Sequence, residues 1–533
     1  MEAENKKSPL IGFLTMNVRE DAEDIIVSGR CITKFQGSSK PLDTDQISID
    51  VAVMPDAGRI SFGSRYGRKL AKGFALNSCE IRIKRSDALS FDIQNKLIVN
   101  YKGEYFGRIL YDMKDMKTGR NKNSKVFVHD GMAFYFRQSK FNSLGITVRD
   151  ANQYDYPEGQ ARLRKAAKNA KKLADKDIVL MYEKNCARFE ESASVLYKKL
   201  IDQGYDNVYF VVNMDNPGIQ DLPEKYRKNL VEKDSDKHLE YFFASNKWIS
   251  SESTEHALQL RIANKLAMDK VKSKDLQYVF LQHGVMYMVS LNSELRTGFR
   301  NSGYKLQRTV VSSEAEAQHF IDLAEMKRED LYVTGLAKFD ECYRNDDADR
   351  IIIMPTWRRW ETNQARTDLE GTKYYKMIER MYNAVPDELK SKVDILPHPL
   401  MAERFRGESG LGEKLRVGVI YDDILKNCNM LITDYSSIAY DAFYRGANVV
   451  FCWDEKDECM THYGEGSYLM LNDDNVFGPV CMNEEEINKA VAGLYGKPQS
   501  AESLDKYRHI VEFHDGRNSE RIIECLKADG MIN

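Results

Sequence analysis

From Asp177 onward, short apolar runs typical of strands alternate with segments that have a helical pattern. DIVLMY (177–182) is followed by the helical RFEESASVLYKKLIDQG (188–204) and by NVYFVVN (207–213), and a second series begins at RIIIMPTWR (350–358). Strands that alternate with helices form parallel sheets of βα units. The pattern therefore predicts an α/β fold with two Rossmann-like domains in tandem and a cleft between them. Ligands are expected beyond the carboxyl ends of the strands.

Residues 8–150 have a different pattern, with six or more short alternating strands separated by Gly, Asn, Asp and Ser. This is typical of a β-sandwich or barrel, so we expect an all-β, sandwich-like accessory domain in front of the two α/β domains. The predicted domains are a β-rich accessory domain (1–155), a basic helical linker (156–176), a first Rossmann-like domain (177–345) and a second one (346–533). Within the α/β region, HALQLRIANKLA (256–267) is predicted to be a helix and RVGVIY (416–421) a strand.

The linker segment QARLRKAAKNAKKLADK (160–176) is rich in Ala, Lys and Arg, which favours a helix. Two interpretations compete: a membrane-surface helix attracted to anionic lipid, or a solvated linker. Its apolar face is mostly Ala, with only Leu163 and Leu173 as larger residues. Such a face buries little area in a bilayer, which favours the linker.

Composition excludes several classes of protein. A net charge of -3 over 533 residues does not suggest a nucleic-acid binder. No apolar run approaches the ~20 residues needed to cross a bilayer, and MEAENKKSPLIGFL has no signal-peptide core. The nine cysteines include no CxxC pair, which indicates free thiols in a reducing cytoplasm. Cys452, Cys459 and His462 lack the partners that a zinc site requires.

Polar side chains follow four of the predicted strands. They are Gln282, His283 and Gly284; Thr356, Trp357 and Arg358; Pro397, His398 and Pro399; and Thr433, Asp434, Ser436 and Ser437. A single histidine in such a place is most often structural, but two of the nine histidines, His283 and His398, occupy strand ends in different series. If the two series face each other, both histidines reach one cleft, which favours a catalytic interpretation.

Ser436 and Ser437 begin a predicted helix, whose free N–H groups and positive dipole end suit a phosphate. The alternative is that Asp434 or Ser436 only caps this helix. Asp441, on the same helix, either accepts hydrogen bonds from a hydroxylated substrate or is an exposed charge. Arg358 is expected to bind a phosphate through both arms of its guanidinium. The chain has no GxxxxGK[ST], no GxGxxG after a strand and no GxSxG, which argues against P-loop, dinucleotide and α/β-hydrolase sites.

Together these residues resemble those of the CDP-glycerol glycerophosphotransferases, a family that includes teichoic acid primases and polymerases. The resemblance runs from about Asp177 to the C-terminus. It rests on the order and spacing of QHG (282–284), VTGLAKFD (333–340), PTWR (355–358), HP (398–399), TDYSS (433–437) with Asp441, GSYLMLNDDNVFGPV (466–480) and FHDGRNSERI (513–522).

The resemblance implies a GT-B arrangement in which residues 177–345 form the acceptor side and 346–533 hold the nucleotide donor. It implies that His283 is the general base and that His398 lies near the donor pyrophosphate. The donor site would further include Gln282, Gly284, Thr356, Trp357, Arg358, Pro397, Thr433, Ser436, Ser437 and Asp441. Lys338 replaces an arginine often found in the family, and Gln282 a tryptophan. Because lysine lacks the planar fork of arginine, Lys338 is expected to contact phosphate as a compact cation.

The implied activity is transfer of glycerol phosphate or ribitol phosphate from a CDP-alditol to an acceptor hydroxyl, with release of CMP, in teichoic acid or capsular polymer synthesis. The expected acceptor is a lipid-linked or growing glycan, reached at the inner face of the membrane by a peripheral protein. No cofactor is expected, and no carboxylate cluster in the cleft demands a metal. Two alternatives stay open: a GT-B glycosyltransferase that uses a nucleotide sugar, and a non-catalytic binding protein in which the β-rich domain does the work.

Overall fold

The computed structural model describes residues 9–35, 43–51, 54–65, 74–88, 94–102, 104–108, 110–112, 126–138, 144–291, 303–361, 364–366, 368–397, 411–463 and 466–533. The chain divides into two compact units. One comprises Met1–Lys168 with Arg261–Lys270, and the other Asn169–Leu260 with Val271–Asn533. No described helix is both long and apolar enough to span a membrane.

The first unit is β-rich, as its alternating sequence predicts, and its described strands belong to one sheet. Its strands are β1 (Pro9–Glu20), β2 (Asp24–Phe35), β3 (Ile47–Val51), β4 (Met54–Arg65), β5 (Phe74–Lys84), β6 (Gln94–Tyr101), β7 (Glu104–Arg108), β8 (Leu110–Asp112), β9 (Phe127–His129), β10 (Met132–Gln138) and β11 (Leu144–Asp150). They pair in the order β8-β1-β2-β5-β4-β3-β6-β11-β10-β9, with β7 beside β6, and are antiparallel apart from β1 with β8. The sandwich-like closure stays a prediction.

The second unit contains two parallel sheets. The strands of the larger one are β12 (Val179–Tyr182), β13 (Val208–Val212), β14 (Leu230–Glu232), β15 (Lys247–Ser250), β16 (Gln277–Phe280), β17 (Leu306–Val311) and β18 (Leu331–Val333). Those of the smaller one are β19 (Arg350–Ile353), β20 (Val393–Ile395), β21 (Cys428–Thr433), β22 (Asn448–Cys452) and β23 (Val480–Cys481). Their continuous apolar sequences match full burial between helices.

Helices connect and cover these strands. Their bounds are α1 (Arg85–Ala88), α2 (Pro157–Ala170), α3 (Ser192–Asp202), α4 (Pro217–Gln220), α5 (Glu224–Arg227), α6 (Asp236–Ala244), α7 (Lys265–Val271), α8 (Glu314–Ala324), α9 (Lys373–Asn383), α10 (Tyr421–Lys426), α11 (Ile438–Tyr444), α12 (Lys456–Tyr463), α13 (Glu484–Leu494), α14 (Ala501–Ile510) and α15 (Asn518–Ala528). The predicted βα alternation and the helical character of the 160–176 segment are confirmed.

Strand order fixes where a ligand can enter each parallel sheet. The larger sheet has the order β14-β13-β12-β15-β16-β17-β18, so the direction of winding reverses between β12 and β15. The smaller has the order β20-β19-β21-β22-β23 and reverses between β19 and β21. At such a reversal the two flanking loops leave on opposite faces of the sheet and open a crevice at the carboxyl ends of the strands.

Two predicted elements are wrong. The segment RVGVIY (416–421) is not a strand: Gly418 has a φ of +74°, Leu415 forms only an isolated bridge with Ile395, and Tyr421 already begins α10. The segment 256–267 is not a continuous helix either. Arg261 has a φ of +58°, and its carbonyl accepts hydrogen bonds from the Tyr135 hydroxyl at 2.7 Å and from Arg149 Nε at 3.3 Å. These bonds fix a conformation that a helix does not permit.

The C-terminal helix α15 returns to the larger sheet. The Asp340 carboxylate accepts hydrogen bonds from the backbone N–H groups of Asn518, at 2.8 Å, and Ser519, at 2.7 Å. Gly335 has a φ of +79°, and a Cβ there would lie 2.2 Å from Asn518 Oδ1, so the close approach requires glycine. The VTGLAKFD and FHDGRNSERI segments, far apart in sequence, therefore form one joint.

We expect the substitution Asp340→Ala to lower the free energy of unfolding by about 1–2 kcal/mol, because it removes the anionic cap of α15. Urea unfolding followed by circular dichroism measures this. The matched control is Asp347→Ala, since Asp347 is exposed on the following loop. Equal unfolding midpoints for the two variants would contradict this role for Asp340.

Candidate active site

The reversal points of the two parallel sheets open on one cleft of about 1180 Å³. Its walls come from the segments that follow β12, β16, β19 and β21, together with parts of α3 and α11. Of the residues predicted from the sequence, the cleft is lined by His283, Gly284, Lys338, Thr356, Trp357, Ser436, Ser437 and Asp441. Residues that follow strands of two different sheets, from His283 to Ser437, thus meet in one site.

A buried glutamine places His283 in the cleft. Gln282 has a φ of +60° and is fully buried, and its side-chain amide donates to the Val310 carbonyl at 2.6 Å. Beyond it, the buried Glu316 carboxylate accepts a hydrogen bond from the Met286 N–H at 2.6 Å. The turn is thus anchored on both sides of His283. Gln282 itself does not line the cleft, so its predicted donor contact stays a prediction.

His283 is exposed to the cleft but surrounded by protein on its other sides. Burial lowers the pKa of its imidazole, and the negative charge of Glu191 opposes that shift. The cations Lys184 and Lys338 lower the pKa, whereas a hydrogen bond with the Ser251 backbone raises it. The result is a pKa below the usual value, so the ring is neutral at pH 7 and able to accept a proton.

Lys338 connects the two sides of the cleft. Its ammonium donates to the His283 carbonyl at 3.1 Å and lies 2.5 Å from Asp441 Oδ1. Both side chains are mostly buried, at 13% and 8% exposed. Close by, a Cβ on Gly284 would lie 3.3 Å from Ser437 Oγ. The loop that carries His283 and the start of α11 therefore approach each other directly.

Asp434 organises the wall that follows β19 and β21. Its Oδ1 accepts hydrogen bonds from the Thr356 N–H at 2.7 Å, the Thr356 hydroxyl at 2.8 Å and the Tyr435 N–H at 2.6 Å. Its Oδ2 lies 2.7 Å from Arg358 Nη1. The Asp434 side chain is fully buried and that of Arg358 is 1% exposed. Burial disfavours the charged guanidinium, but Asp434 overcomes that effect and raises the pKa of Arg358.

Arg358 therefore lies behind the cleft wall and not in the cleft, and its predicted phosphate contact would require this ion pair to open. Thr433 and Pro397 are also buried away from the cleft, and the Thr433 hydroxyl donates to the Met354 carbonyl at 2.6 Å. His398 and Pro399 lie outside the described residues, so the role of His398 stays a prediction. Ser436 and Ser437 line the cleft at the short helix α11. The N-cap residue is Ser437, whose side chain makes no cap hydrogen bond, and the Asp434 carboxylate binds other groups, so the predicted cap is not formed, and the phosphate site stays a prediction.

The sequence interpretation missed the wall that follows β12. Lys184 and Glu191 line the cleft there, and Lys184 Nζ lies 2.7 Å from Glu191 Oε1. Beneath them, the fully buried Glu183 accepts hydrogen bonds from the N–H groups of Glu190, of Glu191 at 2.9 Å and of Ser194 at 3.1 Å. Burial, followed by the charge of Glu191, raises the pKa of Glu183 to about 8. The signal was present, because EKNC directly follows a predicted strand.

Within the described ranges, no group of three or more His, Cys, Asp or Glu side chains is placed to hold a metal ion.

We expect Asp434→Ala to lower the free energy of unfolding by about 3–5 kcal/mol, because it leaves the buried Arg358 guanidinium unpaired. The control is Asp454→Ala, which removes a half-exposed pair with Arg380 and should cost about 1 kcal/mol or less. Chemical denaturation of both variants measures the difference. If Asp434→Ala costs no more than the control, the Asp434–Arg358 pair does not support the wall.

The sequence of the chain matches a known protein family and a relative with a known role. The model of the family described as CDP-Glycerol:Poly(glycerophosphate) glycerophosphotransferase matches residues 165–527. The minor teichoic acid biosynthesis protein GgaB of Bacillus subtilis (strain 168) is 23% identical over 540 residues, covering 96% of this chain. The chain spans about half of that relative, 55% of its length.

Among solved structures, the chain is similar to the wall teichoic acid polymerase TagF, with 16% sequence identity and a TM-score of 0.49. The match covers 70% of this chain and 95% of that one. The calicheamicin glycosyltransferase CalG4 is 12% identical with a TM-score of 0.35, covering 66% and 98%. The family match extends over both parallel sheets and over every segment that forms the cleft. The chain therefore belongs to the CDP-glycerol:poly(glycerophosphate) glycerophosphotransferase family.

Proposed function

We propose that this protein transfers a polyol phosphate, from CDP-glycerol or CDP-ribitol, to an acceptor hydroxyl of a teichoic acid or capsular polymer and releases CMP. The observation that carries the proposal is the cleft, matched throughout by the family model, in which a neutral histidine faces the hydroxyl-bearing wall of the other sheet. The two sheets would then act as a GT-B pair, with the acceptor on the larger sheet and the donor on the smaller.

His283 is the general base of this reaction. The acceptor oxygen attacks the β-phosphorus of the CDP-alditol and loses its proton to the imidazole as the new O–P bond forms. The bond between the β-phosphorus and the bridging oxygen breaks, and CMP leaves with the electron pair. A base whose pKa lies below neutrality is in its active form at pH 7, which suits this role.

Catalysis of phosphoryl transfer depends mainly on position and charge stabilisation. Thr356, Ser436 and Ser437 supply hydroxyl groups on the donor wall, and Lys338 is a cation placed between that wall and His283. Asp441 is occupied by Lys338 in the free protein, so a polyol that hydrogen-bonds to Asp441 has to compete with this ion pair. Donor binding is therefore coupled to release of Lys338, which is then available for the phosphates.

We expect His283→Ala to reduce CMP release at least about 100-fold, because the acceptor hydroxyl loses its proton acceptor. Binding of the CDP-alditol, measured by calorimetry, should largely survive. Release is measured by chromatography with an acceptor present.

The control for this experiment is His509→Ala, since His509 is exposed on α14. It should retain wild-type release. Full activity of His283→Ala would remove His283 from the mechanism, and loss of donor binding in that variant would assign it to the donor site instead.

The basic helix α2 supports peripheral contact with the inner face of the membrane. Arg164, Lys168, Lys171 and Lys172 are exposed along α2 and the turn that follows it. Leu163 is already buried within the protein and is not available to a bilayer. Attraction to anionic lipid would therefore be electrostatic, worth about 1 kcal/mol for each cation near the surface and reduced by salt.

We expect the triple variant Lys168→Glu, Lys171→Glu, Lys172→Glu to lose binding to vesicles that contain phosphatidylglycerol, measured by co-sedimentation at low salt. The matched control reverses three exposed lysines elsewhere, Lys376, Lys489 and Lys527, and should still bind. Equal binding by the two variants would show that α2 is only a linker.

A further inference from the structure

One carboxylate oxygen of Glu191 has no partner among the residues that the structure describes. One oxygen, Oε1, lies 2.7 Å from Lys184 Nζ. The other, Oε2, is buried and has no hydrogen-bond partner among the described residues. The side chain is only 12% exposed. Buried carboxylate oxygens are nearly always hydrogen-bonded or paired with a charge, so this oxygen is available to a further polar or charged group in the cleft.

The surrounding structure keeps this oxygen free. Glu191 is the N-cap residue of α3, yet its side chain makes no cap hydrogen bond. The N–H groups at this end of the helix are instead satisfied by the buried Glu183, which takes those of Glu190, Glu191 and Ser194. Relieved of the usual task of an N-cap carboxylate, the Glu191 side chain extends along the cleft wall.

The backbone of the turn that carries Lys184 is strained. Lys184, Asn185 and Cys186 all have left-handed conformations, with φ values of 48°, 55° and 57°. Consecutive residues of this kind are costly, and they are found where a site needs a particular geometry. Here the turn directs the Lys184 ammonium onto Glu191.

The pair lies at the reversal point of the larger sheet. Lys184 follows β12, and Ser251, whose backbone bonds to the His283 ring, follows β15. These are the two strands between which the order reverses. Lys184, Glu191 and His283 therefore line the same cleft at the position where such sheets bind their ligands.

We propose that Glu191 is the anionic partner of His283: its free oxygen stabilises the imidazolium that forms when His283 takes the proton of the acceptor hydroxyl. This inference rests on the proposed function for its role in catalysis. Glu191 is a positioning residue in this scheme, and Lys184 fixes its orientation through the other oxygen. Neither residue exchanges a proton with the substrate.

The proton balance is simple. The acceptor hydroxyl gives its proton to the unprotonated ring nitrogen of His283. The ring becomes a cation next to the Glu191 carboxylate as the phosphodiester forms and CMP departs. After the products leave, the imidazolium returns the proton to water. Coulomb attraction between unit charges in such a partly buried site is substantial, so the carboxylate favours the charged ring.

The charges that act on His283 come from three elements: Lys184 with Glu191 on the segment from β12 to α3, the Ser251 backbone after β15, and Lys338 after β18. Lys338 is itself paired with Asp441. Among the five strongest influences on His283, Glu191 is the anion. Its removal therefore leaves two cations that oppose protonation of the ring.

The test is an NMR titration of the His283 ring in the resting protein, with the resonance assigned from His283→Gln. We expect Glu191→Gln to lower the pKa of His283 by about one unit, and Glu191→Asp, which keeps the charge, to restore most of it. The control Glu190→Gln removes a neighbouring cleft carboxylate that is not among the leading influences on His283, and should change the pKa of His283 less than Glu191→Gln does.

The variant Lys184→Met gives a second measurement of the pKa of His283, which can be made even if Glu191→Gln does not fold. It removes a cation and frees Glu191, so the pKa of His283 should rise. An unchanged pKa in Glu191→Gln, or in Lys184→Met if the former does not fold, overturns the proposal.

The role in catalysis is read from CMP release. In Glu191→Gln the acid limb of the pH profile of kcat/KM should move down with the pKa of His283, and the plateau rate should fall. A lowered pKa of His283 together with an unchanged plateau rate would show that Glu191 does not assist catalysis. Absence of CMP release from the wild-type protein would instead contradict the proposed function, while the NMR titration would still decide whether Glu191 is the partner of His283.

Discussion

The cleft depends on the buried carboxylate of Asp434. This group binds the backbone and hydroxyl of Thr356, the backbone of Tyr435 and the guanidinium of Arg358, and so joins the segments after β19 and β21 into one wall. Those two strands flank the reversal point of the smaller sheet. A buried carboxylate costs free energy unless it is hydrogen-bonded or paired with a charge, and here four donors contact the Asp434 carboxylate. Thr356 and the serines of TDYSS are held in the cleft by this arrangement.

The opposite wall uses charge in another way. After β12 and α3, Lys184 and Glu191 are paired, but one carboxylate oxygen stays free. Between the walls, Lys338 contacts both the His283 carbonyl and Asp441. The wall around Asp434 is thus held by contacts within the protein, whereas Lys338, Asp441 and Glu191 have interactions that a ligand can exchange. This division fits the proposed reaction, in which the donor would be held and a proton would move at the acceptor.

The parts of the fold that follow from hydrophobic periodicity were predictable. Buried strands such as Val179–Tyr182 and Asn448–Cys452 are continuous apolar runs, and their alternation with helices required parallel sheets. The failures have local causes. Gly418 interrupts a run that has strand-like composition, and the Arg261 carbonyl is held by distant side chains that no local pattern reveals.

The residues of the site also divide into those that the sequence predicts and those that it does not. Strand-end position was enough to find His283 and the TDYSS serines, but it did not reveal which way a side chain points: Gln282 and Arg358 turn inward to buried partners. Glu191 was missed because it lies nine residues past the end of its strand, Tyr182, beyond a turn with left-handed backbone conformation. Such placement depends on Glu183 and Lys184 and is visible only in three dimensions.

In the proposed reaction the acceptor oxygen attacks phosphorus and not a sugar carbon. The identity of the released nucleotide distinguishes these two reactions. The purified protein would be incubated with an acceptor and, separately, with CDP-glycerol, CDP-ribitol, UDP-sugars and GDP-sugars, and the nucleotides would be separated by chromatography. The account predicts CMP from a CDP-alditol, with the polyol phosphate recovered in phosphodiester linkage on the acceptor. Release of UDP or GDP from a nucleotide sugar, with no CMP from either CDP-alditol, would contradict it.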